Sequence, residues 1–168
     1  MKKEKENIFL SALEQNQEKL FRICSIYSKH DEDAKDLFQE VLVHVWRSMG
    51  TCKGDSAMGT WMFRVALNVC LRFKSKYTKN QNRFIRLDSI TITNFCSAEN
   101  KEEDNDKLNR LRKCVKKLNE SDKAIVALYL EGLAYREISS ILGLTENHIA
   151  VKVKRIKSKL LNCINKIL

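Results

Sequence analysis

Between residues 134 and 160 the chain carries a pattern that few arrangements satisfy: a short amphipathic helix, a glycine, a hydroxyl residue and a long basic helix. Ile138, Ile141 and Leu142 fall at i, i+3 and i+4, which gives the first helix one apolar face. Gly143 stands where that helix must stop, because a residue without Cβ enters the left-handed region at little cost. Thr145 then offers a hydroxyl to the open amides of the next turn. Two helices separated by about three or four residues including a glycine make a helix-turn-helix. In the second helix Ile149, Val153, Ile156 and Leu160 recur at i, i+4, i+7 and i+11 and face inward. That leaves Asn147, His148, Val151, Lys152, Lys154, Arg155 and Lys159 on or near the outer faces. From 145 to 168 six Lys or Arg stand against one acid, Glu146. A basic outer face on a second helix suits a DNA major groove, where side chains meet base edges and phosphates. The competing reading is a solvated helix of a small bundle. Turn, cap, periodicity and charge agree on the first.

Charge is distributed unevenly along the chain. The net charge of +10 resolves into +3 for residues 1–76, −2 for 77–106 and +9 for 107–168, so the last third is where a polyanion would be met. Six cysteines, at 24, 52, 70, 96, 114 and 163, are scattered without a Cys-x-x-Cys or a nearby histidine pair. Neither a metal site nor a disulfide framework is expected from them; most of them read as small apolar residues in a reducing cytosol. No apolar run approaches the roughly 18 residues of a membrane span, and the opening MKKEKEN leads into no signal-peptide core, so a cytoplasmic protein without membrane insertion is expected. The absence of proline and the presence of only five glycines fit a chain that is mostly helix.

In chain order, 8–28 reads as a helix with Leu10, Leu13, Leu20, Phe21, Cys24 and Tyr27 on its apolar side and Asn16 and Gln17 loosening its middle. Asp31 and Asp33 are candidate caps for a second helix over 33–47. On it Leu37, Phe38, Val41, Leu42, Val45 and Trp46 form a wide stripe toward a core, and Asp36, Gln39 and Glu40 lie opposite. That acidic and amide patch is either a wet helix face or a docking surface for a basic partner. A loop over 50–59 holds three of the five glycines. Residues 60–76 then alternate at Val65, Leu67, Val69, Leu71 and Phe73 as a strand would, but Phe63, Ala66, Cys70 and Phe73 keep helical spacing and the length favours helix. Arg64, Asn68, Arg72, Lys74 and Lys76 give it a basic and amide edge. Trp61 and Phe63 beside those cations suit either unstacked single-stranded bases or the core. Residues 78–106 change charge sign and lack periodicity, which predicts a linker. From Lys107, the residues Leu108, Leu111, Cys114, Val115 and Leu118 open a second helical domain. The histidines at 30, 44 and 148 are scattered, no nucleophile has a paired base and no glycine-rich phosphate loop precedes a helix, so no enzymatic activity and no cofactor are expected.

The residues Asp33-Ala34-Lys35-Asp36-Leu37-Phe38-Gln39-Glu40-Val41 with Val45-Trp46-Arg47, then Lys53-Gly54-Asp55-Ser56, then 60–68, closely resemble region two of the extracytoplasmic-function sigma factors of bacterial RNA polymerase. Leu118-Asn119-Glu120, Ile138, Gly143-Leu144 and the basic helix resemble region four of the same family. The resemblance implies that Asp36, Gln39 and Glu40 bind the clamp helices of core polymerase, with the polymerase flap and promoter DNA as further partners and an anti-sigma factor as a regulator. It implies that Lys53, Asp55, Ser56, Trp61, Arg64, Asn68, Arg72 and Lys74 hold the opened strand at the promoter's minus-ten element. Capturing an extruded base offsets part of its unstacking cost, a few kcal/mol. Tyr135, Arg136, His148, Val151, Lys152, Lys154 and Arg155 are implied to meet the minus-thirty-five element. The chain departs from the family at Ala150 and Val151, where a basic residue and a serine are frequent, and at Asn119, where proline is; Val151 can pack on a thymine methyl instead.

The fold expected is therefore all-α: a region-two-like bundle of three or four helices over 1–77 and a region-four-like helix-turn-helix domain over 107–168, joined by a flexible linker over 78–106. The rival function is a duplex-binding helix-turn-helix regulator whose first domain is a sensor or dimerisation module. The acidic patch and the 53–76 loop and helix separate the two, since a plain regulator needs neither.

Overall fold

The computed structural model of the chain describes residues 1–52, 58–77 and 102–167, and for 74–77 and 102–105 the backbone alone. Among them are seven α-helices: α1 (Lys2–Ile26), α2 (Asp31–Ser48), α3 (Met58–Tyr77), α4 (Glu102–Lys116), α5 (Glu120–Leu130), α6 (Tyr135–Leu142) and α7 (Glu146–Ile167). A 3-10 turn, Met49–Thr51, follows α2. The helices fall into two compact units, Met1–Thr91 and Ile92–Leu168.

In the first unit α1, α2 and α3 pack pairwise against one another. The wide apolar stripe of α2 goes inward as its spacing requires: Leu37, Phe38, Val41, Leu42 and Val45 are each at most 1% exposed. Fully burying side chains of this size stabilises by about 1.5–3 kcal/mol each. On α1 the buried set is Phe9, Leu13, Leu20, Ile23 and Cys24. Leu10, expected inside, is 56% exposed, because Phe9 takes the inward register and sets its ring edge-on to Trp46 of α2 at 5.3 Å. Phe21 meets Phe38 the same way at 5.7 Å. Such T-shaped pairs match the positive edge of one ring to the negative face of the other. Asn16 does not loosen α1. Its Nδ2 donates to Ala12 O at 2.8 Å, and its Oδ1 lies 3.0 Å from where a Cβ on Gly59 would stand, so glycine permits the close approach of α3. The strand-like alternation of 60–76 yields to the helix, with Phe63, Ala66, Leu67, Val69 and Cys70 buried. Cys24 and Cys70 meet in this core as buried thiols; burial, then the hydrogen bond and charge of Cys70, push the Cys24 thiol well up.

The start of α2 differs from expectation. Its N-cap is His30 with no side-chain cap, and Asp31, Glu32 and Asp33 lie within the first turn, where their charges face the positive end of the helix dipole.

In the second unit α7 packs against α4, α5 and α6. The short α5 is buried from Asp122 through Leu128. The fourth helix begins at Glu102 rather than Lys107, so the end of the acidic run supplies a first turn suited to the dipole. The expected linker otherwise falls outside the described residues, as does Cys96. A disulfide joins Cys114 of α4 to Cys163 of α7, with the Cα atoms 5.9 Å apart, where no disulfide framework was expected. The two cysteines are distant in sequence and adjacent in space because both lie on faces that the α4–α7 contact buries. Among the described residues Cys24, Cys52 and Cys70 remain thiols.

Candidate functional site

The turn between α6 and α7 is built as the sequence requires. Gly143 caps α6 at φ 70°, in the left-handed region, and its amide donates to Ser139 O at 2.9 Å. Ser139 Oγ donates to Leu144 O across the turn. Thr145 Oγ1 accepts from the His148 amide at 3.2 Å and so caps α7. At the other end of α6 the Glu137 carboxylate accepts from the Ala134 amide at 2.9 Å.

Ile138, Ile149, Val153 and Ile156 are at most 3% exposed, which fixes the roll of α7 about its axis. The roll leaves an outward stripe of Val151, Lys154, Arg155 and Ser158 at i, i+3, i+4 and i+7. Val151 is 51% exposed, and His148, Lys154 and Arg155 are exposed with it. Arg136, at the start of α6, is exposed, while Tyr135 beside it is half-buried and lies 6.3 Å from the Tyr129 ring. Ser158 was not singled out from the sequence; its signal was its place two turns after Val151.

Lys152 is the exception among the residues expected on the outer face. It is half-buried, and its Nζ lies 3.4 Å from Oδ1 of Asp122. Lys159 reaches the other oxygen, Oδ2, at 2.7 Å. The Asp122 side chain is 2% exposed. Burial pushes its carboxyl up, but the hydrogen bond and charge of Lys159, with those of Lys152, outweigh that and hold it below the usual carboxylate range. The Asp122 amide is held in turn by Asn119 Oδ1 at 2.8 Å. Asn119 is thus the N-cap of α5, its side-chain oxygen closing an amide of the first turn. Neither role of Asp122 was read from the sequence, although Asn119-x-x-Asp122 before an apolar run is a cap signal. Lys157 sits 4.8 Å over the Tyr129 ring, and the hydrogen bond and charge of Tyr129 hold its ammonium above the ordinary lysine value.

In the first unit, Asp36 is exposed and Gln39 and Glu40 are half-buried along the solvent side of α2. Glu40 Oε1 lies 3.3 Å from His44 Nε2, one turn on. Along α3, Arg64, Asn68 and Arg72 recur every four residues; Arg64 is half-buried and the other two are exposed. Trp61 belongs to the core, with 8% of its surface exposed, so its ring is no open stacking platform. Lys53, Asp55, Ser56 and the Lys74 side chain lie outside the described residues. Among the described residues no group of three or more His, Cys, Asp or Glu is placed to hold a metal ion, and no helix is long and apolar enough to cross a membrane.

Comparison with known proteins finds a match toward each end of the chain. Residues 12–80 match the Sigma-70 region 2 family and residues 108–160 the Sigma-70, region 4 family. The ECF RNA polymerase sigma-E factor of Escherichia coli (strain K12) is 27% identical over 156 residues, covering 84% of this chain and 80% of that protein. The RNA polymerase sigma factor YlaC of Bacillus subtilis (strain 168) is 25% identical over 133 residues, covering 78% and 77%. Among solved structures, CnrH in complex with the cytosolic domain of CnrY superposes with a TM-score of 0.70 at 16% identity, covering 96% of this chain and 90% of that one. The sigma factor RpoE of Bartonella quintana, in complex with the anti-sigma factor NepR, superposes with a TM-score of 0.63 at 19% identity, covering 95% and 96%. With both regions present in their order along one chain, the protein belongs to the sigma-70 family of RNA polymerase sigma factors, in its extracytoplasmic-function group.

Proposed function

We propose that the chain directs bacterial core polymerase to specific promoters with a division of labour between its units: residues 1–77 dock on polymerase and hold the opened strand, and residues 107–168 read the upstream duplex. The polymerase supplies all catalysis. Asp36, Gln39 and Glu40 form the polymerase-docking face of α2. Arg64, Asn68 and Arg72 track the single strand along α3, and Lys53, Asp55, Ser56 and Lys74 are assigned the same role from the resemblance alone. On the second unit Val151, Lys154 and Arg155 enter the major groove, with Arg136, Tyr135 and His148 at its edge. Lys154 and Arg155 supply cations to phosphates or guanine edges, and the exposed Val151 supplies apolar contact to a thymine methyl.

The observation that carries this reading is the pair of solvent-facing stripes of opposite chemistry on the first unit, acidic and amide on α2, basic and amide on α3. A regulator that only binds duplex has no use for either. The Bartonella sigma factor is in complex with an anti-sigma factor and CnrH with the cytosolic domain of CnrY, and a protein partner of the anti-sigma kind, met in the cytoplasm, is proposed for this chain too.

The test is transcription in vitro from genomic fragments with the cognate core polymerase, with and without the protein, mapping new start sites. New starts that share two spaced elements are expected. No binding to the cognate polymerase and no new start would replace this reading with the duplex-only regulator.

A further inference from the structure

Asp122 is an unusual presence on a helix that is buried from residue 122 to 128. A carboxylate with 2% of its side chain exposed is tolerated only when charge-paired and hydrogen-bonded. Here each oxygen takes a different lysine of α7, Lys152 at 3.4 Å and Lys159 at 2.7 Å, seven residues apart and so on one side of that helix. The carboxylate sits in the first turn of α5, where the helix dipole also favours it. Lys152 and Lys159 are not alike in exposure: their side chains are 29% and 56% exposed. Lys159 lines the same shallow surface as Val151, Lys154, Arg155 and Ser158. It is therefore beside the outward stripe, and its ammonium is drawn away from it.

We infer that Asp122 is a positioning residue for the DNA-facing helix: its carboxylate withholds Lys152 and Lys159 from the phosphates and so sets how many cations α7 offers to any duplex. The inference rests on the reading of α7 as the duplex reader. Phosphate contacts carry no sequence information, so each lysine kept from them lowers sequence-independent affinity and leaves discrimination to Val151, Lys154 and Arg155. One carboxylate against two ammoniums leaves the trio net positive. Geometry, with both lysines held back toward α5, does the withholding that charge alone would leave half done.

The test is fluorescence anisotropy of the full chain on a labelled duplex of arbitrary sequence, titrated from low to moderate KCl, with circular dichroism confirming the fold of each variant. Asp122→Asn should bind more tightly, and the slope of log K against log [salt] should steepen by roughly one to two units, the share of one or two freed cations. A merely structural role moves the other way, weakening binding without a steeper slope. Should that variant fail to fold, Lys159→Gln and Lys154→Gln decide. Lys154→Gln should make the slope shallower by about one unit and Lys159→Gln should leave it unchanged. An unchanged or shallower slope for folded Asp122→Asn, or an equal loss for Lys159→Gln and Lys154→Gln, overturns the inference while the reading of α7 stands. A slope indifferent to both Lys154→Gln and Arg155→Gln overturns that reading, and the inference with it.

Discussion

The two units support their working surfaces by different means. In the first, the docking stripe of α2 is what remains outside once Leu37, Phe38, Val41, Leu42 and Val45 have gone in, and those five are fixed by apolar packing. In the second, α5 and α6 have 11 and 8 residues, too short to be stable by themselves. They are held by Asn119, Glu137 and Gly143 at their ends, by the Asp122 carboxylate and by burial of Ile125, Leu128 and Ile138, while α7, which packs on both, is capped by Thr145 and tied to α4 by a disulfide. Surface and support are separate in the first unit. In the second they share residues, since Lys152 and Lys159 lie on the helix meant for DNA and hold the fold together.

The largest effect should come from the apolar core. Phe38→Ala empties a site 1% exposed and removes the edge-on contact with Phe21, a loss of about 3–5 kcal/mol. Hydrogen exchange should show the amides of α1 to α3 losing protection and those of α5 to α7 keeping it. Equal loss in both would break the separation of the units. Next comes the disulfide, which closes a loop with a sequence separation of 49 between α4 and α7. Reduction should lower the stability of the second unit by about 2–4 kcal/mol and leave the first unchanged, again read by exchange.

Acid should discriminate the units as well. Asp122 has a folded pKa below its unfolded value of about 3.9, so the stability it contributes is complete above the unfolded value and is lost as pH falls through it toward the folded one. Melting of wild type and Asp122→Asn at neutral pH and near pH 3 measures this. Their difference at neutral pH should shrink in acid, and a constant difference would remove the carboxylate from the account.

How much of this was legible in the sequence follows the same division. Periodicity found the inward stripe of α2 and the roll of α7 because apolar burial repeats with the helix. The turn at Gly143 and the cap at Thr145 were legible because each needs a particular residue type at one position. Periodicity failed at Leu10, where Phe9 offered a competing register, and it left Trp61 open between the core and the opened DNA strand, a choice that burial makes for the core. It had no purchase on Asp122 or on Cys114 and Cys163, because their partners are 30 to 49 residues away and only the packing of α7 brings them together. Lys152 shows the same limit: the sequence puts it on or near the outer face, and its half-burial beside the Asp122 carboxylate follows only from the packing of α5 on α7.

A smaller effect is expected at Asn119, where Ala should cost about 1 kcal/mol by leaving the Asp122 amide without its acceptor. Proline there, the residue the family often carries, should restore much of it by fixing φ at the start of α5, where Asn119 now stands at φ −66°. A loss with Ala that Pro does not recover would mean the side chain holds Asp122 itself in place, tying the cap to the lysine pair.

The smallest effect on stability should come from the most disruptive change to function. Asp36 is exposed, and the Glu40 side chain is 39% exposed with His44 as a neighbour, so reversing both charges removes no packing and breaks one exposed contact. Asp36→Arg with Glu40→Arg should therefore shift stability by no more than about 0.5 kcal/mol. Polymerase binding should be lost, because like charges set against a basic face cost several kcal/mol. Duplex binding by α7 should persist, since nothing on α7 has changed. A destabilisation above about 1 kcal/mol would show that the first unit, too, builds its surface into its support. Intact polymerase binding would move the docking face off α2. Only the combination of a stable fold, lost polymerase and retained duplex leaves both halves of the comparison standing.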